Sequence, residues 1–282
     1  MPQPKQEEAI AYARDVFLKL GSGLVAFIFN FAARVVVARA LGAEGNGLAA
    51  LLVLIPTMIA ALGSLGIDRA NGFLVGARKW GIRALFANSL ALAALLTLMT
   101  GAAYWAALPL IARWTAVGEA HCATLALAFA IMPLSLVEMY LQGLLWGLDR
   151  IAHLSLVSLL RFASQLIFCV LLVVVLKQGV RGAVVAAMVS PGLCIVAYLF
   201  LLRRDVGFPL TCSRGAFKDA LTFGVQGHLG SVLQFLNYRL DMFMVSFFTG
   251  AADLGYYTVA VSLAEMLWYL PDAAGFVLFP KT

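Results

Sequence analysis

The sequence predicts an all-α, polytopic transmembrane helical bundle: a six-helix N-lobe plus the first two helices of a second, parallel-repeat lobe. Three observations carry that expectation. Hydrophobic residues make up 63% of the 282 and charged residues only 12%, with mean hydropathy +0.95. A soluble domain runs about 45–50% apolar and about 25% charged, and has nowhere to place such an excess except on its surface. Eight segments are apolar over the roughly 20 residues that span hydrocarbon. Two glycine turns, 208 residues apart, are alike.

Residues 1–13 read as a cytoplasmic tail leading into the first helix. Lys5, Glu7, Glu8, Arg14, Asp15 and Lys19 make this start too charged for a secretory signal. The spans are expected at 17–39, 48–74, 84–107, 121–146, 155–176, 182–202, 219–248 and 254–279. The N-terminal lobe then covers 14–204, residues 205–218 form a cytoplasmic connector, and 219–282 hold the first two helices of an incomplete second lobe. The segments are continuously apolar rather than alternating, which selects helices over a barrel. Loops are too short for a soluble domain.

Basic residues set the orientation. With the N-terminus in the cytoplasm, that side receives Lys5, Arg14, Lys19, Arg78, Lys79, Arg83, Arg150, Arg203, Arg204, Arg214, Lys218 and Lys281, against Arg39, Arg113, Lys177 and Arg181 outside. Both termini are therefore expected in the cytoplasm. The net charge of +6 follows from this bias and calls for no nucleic acid. Cys122, Cys169, Cys194 and Cys212 are dispersed, as are His121, His153 and His228. No metal or cofactor is expected.

The repeat rests on Leu41-Gly42-Ala43-Glu44-Gly45-Asn46-Gly47 and Thr249-Gly250-Ala251-Ala252-Asp253-Leu254-Gly255, in which Gly42 pairs with Gly250 and Gly47 with Gly255 at one offset. Chance likeness of two Gly turns is the plain alternative. A real repeat after six spans keeps the same orientation, so it is parallel, about an axis along the membrane normal. Residue 282 then maps to the end of the second span, and the full architecture is expected to have at least twelve helices.

Ala38-Arg39-Ala40-Leu41-Gly42-Ala43-Glu44-Gly45-Asn46-Gly47, preceded by Phe17-Leu18-Lys19-Leu20-Gly21, resembles the signature closing the first helix of polysaccharide-biosynthesis flippases. These are Wzx-type members of the multidrug/oligosaccharidyl-lipid/polysaccharide exporter superfamily. Asn237-Tyr238-Arg239-Leu240-Asp241 with the second turn and Tyr256-Tyr257, and Phe279-Pro280-Lys281, resemble that family's seventh-to-eighth helix segment and the close of its eighth. Ala43 stands where the family has Pro. The cavity arginines of related lipid II flippases have no matching position, since Ala33 and Ala61 stand nearby. The resemblance implies a C-terminally truncated chain, and as substrate a sugar chain on a polyprenyl pyrophosphate.

Polar residues within spans are the site candidates, because a mid-membrane Arg costs about 2.5–3.5 kcal/mol on insertion scales and usually faces protein or water. Arg34, Arg69, Arg161 and Arg239 qualify, and guanidinium suits a phosphate headgroup. Each has a structural alternative. Arg34 and Arg161 lie within snorkelling reach of a predicted helix end, and Arg69 adjoins Asp68. Arg239 lies deepest, near Asn237 and Asp241. Two residues apart, Arg239 and Asp241 cannot share a helix face, so one should line the lumen while the other pairs with a neighbouring helix. Glu138 and Glu265 are candidates for coupling to H+ or Na+, or for pairing an arginine. Pro56, Pro133, Pro191 and Pro271 offer kinks. Trp80, Trp105, Trp114 and Trp146 suit an interfacial belt. Gly21-Ser22-Gly23 and Gly63-Ser64-Leu65-Gly66 permit close helix contact.

These readings favour a non-enzyme of the inner membrane: a flippase moving a lipid-linked oligosaccharide by alternating access, with membrane lipids and that anionic headgroup as partners. A second chain supplying missing helices is a further candidate partner. A multidrug extruder of the same superfamily would want a carboxylate in its cavity and fewer arginines. A polymerase or glycosyltransferase would want an acid or His with partners in a sizeable outer loop, whereas Glu44, Glu119, His121 and Asp253 stand isolated.

Overall fold

The computed structural model describes residues 4–114, 122–207 and 209–278, with side chains from residue 21 to 265 apart from 109, 111–121 and 208. His121, Glu119, the charged tail side chains, Trp114, Pro271 and the Phe279-Pro280-Lys281 close lie outside that description. The described residues form helices α1 (Pro4–Gly63), α2 (Ile67–Gly76), α3 (Ile82–Trp114), α4 (Cys122–Ala128), α5 (Ile131–Gly147), α6 (Ile151–Cys169), α7 (Gly179–Val206), α8 (Arg214–Thr249) and α9 (Ala251–Leu278), with a π-helical turn, Val170–Val175, extending α6. No strand occurs among them.

α1 is one helix only in name. Gly42 takes φ 70, ψ −176 inside it, a region essentially reserved for glycine. The chain reverses there: Asn30 and Thr57, which a straight helix would hold roughly 40 Å apart, line one cavity. α8 and α9 reverse at Gly250, with φ 98, ψ −175, and Tyr257 returns to bond Asp241. The two turns thus share a backbone conformation. They also meet. A Cβ at Gly47 would strike the Ala251 carbonyl, and one at Gly255 the Ala43 carbonyl. Ala43 maps to Ala251, and Gly47 to Gly255, under the 208-residue offset, so the contact is reciprocal, as across a two-fold axis.

Helices cover the described parts of the predicted spans, but two of these spans are broken. The span expected at 48–74 stops at Gly63 and restarts at Ile67, because Leu65 and Gly66 are both left-handed. The freed Ser64 carbonyl accepts from the Ile67 N–H at 3.1 Å and from the Tyr140 hydroxyl at 3.1 Å, as backbone away from water requires. The span expected at 121–146 breaks between α4 and α5. Pro133 cannot donate to the Phe129 carbonyl, which accepts from Met132 instead at 2.9 Å.

The ends differ too. Helix begins at Pro4, within the expected tail, and the expected connector at 205–218 shrinks to residues 207–213 between α7 and α8. Of the glycines in the small-residue runs, Gly66 packs closely against the Gly224 backbone, whereas a Cβ at Gly21, Gly23 or Gly63 would meet open space.

Among the described residues, five segments are long and apolar enough to cross a membrane, Gly21–Gly63 being one. At 43 residues, that one is long enough to cross twice. α8 is not one of the five: Gln226, His228, Gln234 and Asn237 interrupt its apolar run. Apolar clusters fill both ends of the bundle. Leu74, Leu85, Tyr140, Leu144 and Leu202 pack at the end away from the turns, and Leu51, Leu52, Leu125, Ile131 and Leu254 at the turn end.

Candidate functional site

A cavity of about 510 Å³ adjoins the turn-end cluster, sharing Leu54, Ile131 and Met242 with it. It is walled by both arms of α1 and by α5, α6, α7, α8 and α9. Arg34, Arg161 and Arg239 all line it, from α1, α6 and α8. Each stands well inside its helix. Arg34 stands eight residues below Gly42, Arg161 ten above the start of α6, and Arg239 eleven below Gly250. At about 1.5 Å per residue these are depths of roughly 12–16 Å, against a half-thickness of about 15 Å for the hydrocarbon. α6 starts earlier than its predicted span, which moves Arg161 from near the interface to mid-depth.

Two of the three are held from behind. Arg161 pairs with Glu138 on α5, and Arg239 Nη1 lies 3.2 Å from Glu265 Oε1 on α9. Neither carboxylate forms part of the cavity wall. Arg34 has no hydrogen bond or ion pair among the described residues, and it lies in the field of Arg239 and Glu265. Among the described residues the wall is therefore cationic and includes no acid. Neutral polar groups complete it: Asn30, Asn46, Thr57, Gln165 and Thr258. Asn46 is itself fixed, donating to the Gly255 carbonyl and to Thr258 Oγ1, each at 3.0 Å.

The remaining sequence candidates fall elsewhere. Asp241 is outside the wall and accepts from the Tyr257 hydroxyl at 2.6 Å, so of the Arg239–Asp241 pair it is the one tied to a neighbouring helix. Asn237 is exposed on another face of α8, two residues from Arg239 and so turned away from it. Arg69 is exposed on α2, also outside the wall, because the break at 64–66 separates it from the cavity-lining arm. Among the described residues it forms no ion pair with Asp68. Sequence reasoning does not single out Asn30, Asn46, Gln165 or Thr258; an amide inside a predicted span is the available signal for Asn30 and Gln165.

Such a chamber can hold a large, multiply charged anion away from lipid. The model for the polysaccharide biosynthesis protein family matches residues 12–281. The chain belongs to that family. No curated protein sequence matches it. The chain has the fold of MATE transporters. It superposes with TM-score 0.74 and 14% identity on the MATE multidrug transporter DinF-BH, solved as a complex, covering 94% of this chain and 63% of that one. An inward-facing multidrug resistance MATE family transporter of the MOP superfamily gives 0.65 and 18%, covering 94% and 66%. The eukaryotic MATE transporter AtDTX14 gives 0.69 and 13%, covering 95% and 64%. The family member described here thus spans a little under two thirds of the length of these transporters, and it is a multi-pass membrane protein.

Proposed function

We propose that the protein carries a polyprenyl-pyrophosphate-linked oligosaccharide across the cytoplasmic membrane by alternating access, with the pyrophosphate gripped by Arg34, Arg161 and Arg239. The single observation behind this reading is the convergence of three guanidinium groups, each well inside its helix, on one cavity with no carboxylate among the described residues of its wall. Guanidinium stays charged at any working pH and offers parallel donors to phosphate oxygens. A lipophilic cation would meet repulsion in the same place.

The reciprocal contact of the two turns supports a two-lobed transporter, with α1–α7 as one lobe, α8–α9 opening the other, and the cavity between them. The basic residues support cytoplasmic placement of the end away from the turns. The test replaces Arg239 by Gln in the cell's own copy. Surface polysaccharide should be lost while the protein stays in the membrane at its normal level; undiminished polysaccharide overturns the reading.

Drug export is a second reading, favoured by the fold similarity to multidrug transporters. It requires that Arg239→Gln leave polysaccharide intact and change efflux of a lipophilic cation.

A further inference from the structure

The proposed anion site carries two built-in competitors. Arg161 and Arg239 each present one face to the cavity and are held by a carboxylate that lies behind the wall. A guanidinium has a limited set of donors, so those directed at Glu138 or Glu265 are withheld from an anion in the chamber. Neither pair is sealed: the side chains retain 31% and 15% of their exposure in the first and 26% and 36% in the second.

We propose that Glu138 and Glu265 act as internal rival ligands for the cavity arginines, so that binding of a phosphate-class anion draws a proton onto these carboxylates and affinity rises as pH falls. This rests on the arginine cavity being an anion site, as proposed above.

The surroundings of each carboxylate bear on the sign. Glu265 on α9 faces Arg239 from α8 and Arg34 from α1; Asp241 and Tyr257 hold each other. Glu138 on α5 faces Arg161 from α6 and, from α7, the Cys194 thiol and Tyr198 phenol. Asp68 on α2 reaches the same helix at Tyr140. Arginine is therefore the permanent charge facing each carboxylate. While the cavity is empty, the arginine's donors are directed at the carboxylate. When an anion takes up the arginine's donors, the carboxylate loses its partner and stands near a second negative charge. Proton uptake on the carboxylate is then easier than in the empty cavity. By linkage, what favours proton uptake on anion binding equally favours anion binding on acidification. Arg34, without a carboxylate partner among the described residues, makes the first contact at any pH.

The experiment measures binding of inorganic pyrophosphate to the full chain in lipid nanodiscs by titration calorimetry, in two buffers of different ionisation heat, for the wild type, Glu265→Gln, Glu138→Gln and Arg34→Ala. The proton uptake of pyrophosphate itself is common to all four and cancels in the differences. Each Gln variant should bind about three- to fivefold more tightly near neutral pH, the scale of a half-exposed ion pair, take up fewer protons, and gain less on acidification. An infrared difference spectrum needs no variant: adding pyrophosphate to the wild type should produce a protonated-carboxyl band. Equal affinity and proton uptake in wild type and Gln variants, with no such band, overturns the rivalry. If Arg34→Ala still weakens binding, the anion site survives that failure. Absence of pyrophosphate binding in every protein sinks the site and the rivalry together.

Discussion

Arg34 and Arg161 share a cavity and differ in what removal leaves behind. Arg34 has no partner among the described residues, so its truncation strips a donor from the chamber and orphans nothing. Arg161→Ala leaves Glu138 without the cation that holds it. An unpaired carboxylate at mid-membrane depth costs more than a lost contact, and in this partly exposed setting about 1–3 kcal/mol. Arg34→Ala should therefore lower pyrophosphate affinity about tenfold to a hundredfold, the range for hydrogen bonds to a charged group, with an unchanged melting temperature. Arg161→Ala should lower the melting temperature, and Glu138→Gln in the same chain should restore most of it. A thermal melt of the detergent-solubilised variants, read beside the binding assay, checks both; equal melting temperatures for Arg161→Ala and Arg34→Ala would contradict the pairing. The arginines are legible in sequence because a charge in hydrocarbon is expensive enough to demand a reason. Asn46 is not. It sits in a Gly-Ala stretch that reads as a connector, and only the reversal at Gly42 reveals it as a buried residue bridging to Gly255 and Thr258. Asn237 and Asp241 show the opposite failure: proximity in sequence to Arg239 does not place them on its face of α8.

At the level of the elements, the two hairpins are joined where their turns cross. Gly47 and Gly255 have no space for a side chain, and Asn46 adds two hydrogen bonds across the same contact. Gly42 and Gly250 are conformational requirements of a different kind, since each holds φ in the left-handed half of the map with ψ near 180°. Two consequences separate. Gly42→Ala should cost about 1–3 kcal/mol through backbone strain without disturbing the crossing. Gly47→Val should push α1 and α9 apart. A cysteine pair introduced at Ala43 and Ala251 should cross-link readily in the parent chain and poorly once Gly47→Val is added. Cross-linking that is insensitive to the Gly47 substitution would show that the turns do not pack as described. The hairpins themselves are visible as Gly-bounded apolar runs of membrane length. The breaks at 64–66 and before Pro133 are not, because the hydropathy of a span says nothing about left-handed residues such as Leu65 or about which carbonyls find side-chain donors.

The whole molecule is electrically lopsided. At the end away from the turns, Asp219 is engaged by Lys79 at 3.0 Å and by the Trp80 indole at 2.8 Å, and Asp205 by Arg150 at 2.8 Å. Arg78, Arg83, Arg203, Arg204, Arg214 and Lys218 remain at that end as excess cations. The turn end carries Arg39, Lys177 and Arg181 with Glu44 and Asp253. Lys and Arg in short loops resist translocation, whereas acids contribute little to orientation, so the excess, not the paired residues, sets which face stays inside. Cys212 makes this testable without adding a reporter. It is exposed in the short connector between α7 and α8, among Arg203, Arg204, Arg214 and Lys218, whereas Cys122 begins α4 at the turn end. With the other three cysteines replaced by alanine, Cys212 should react with a membrane-impermeant maleimide only after the cells are permeabilised. Cys122 alone should react in intact cells. The reverse pattern would invert the protein in the membrane and place the connector, with its cations, on the outer face.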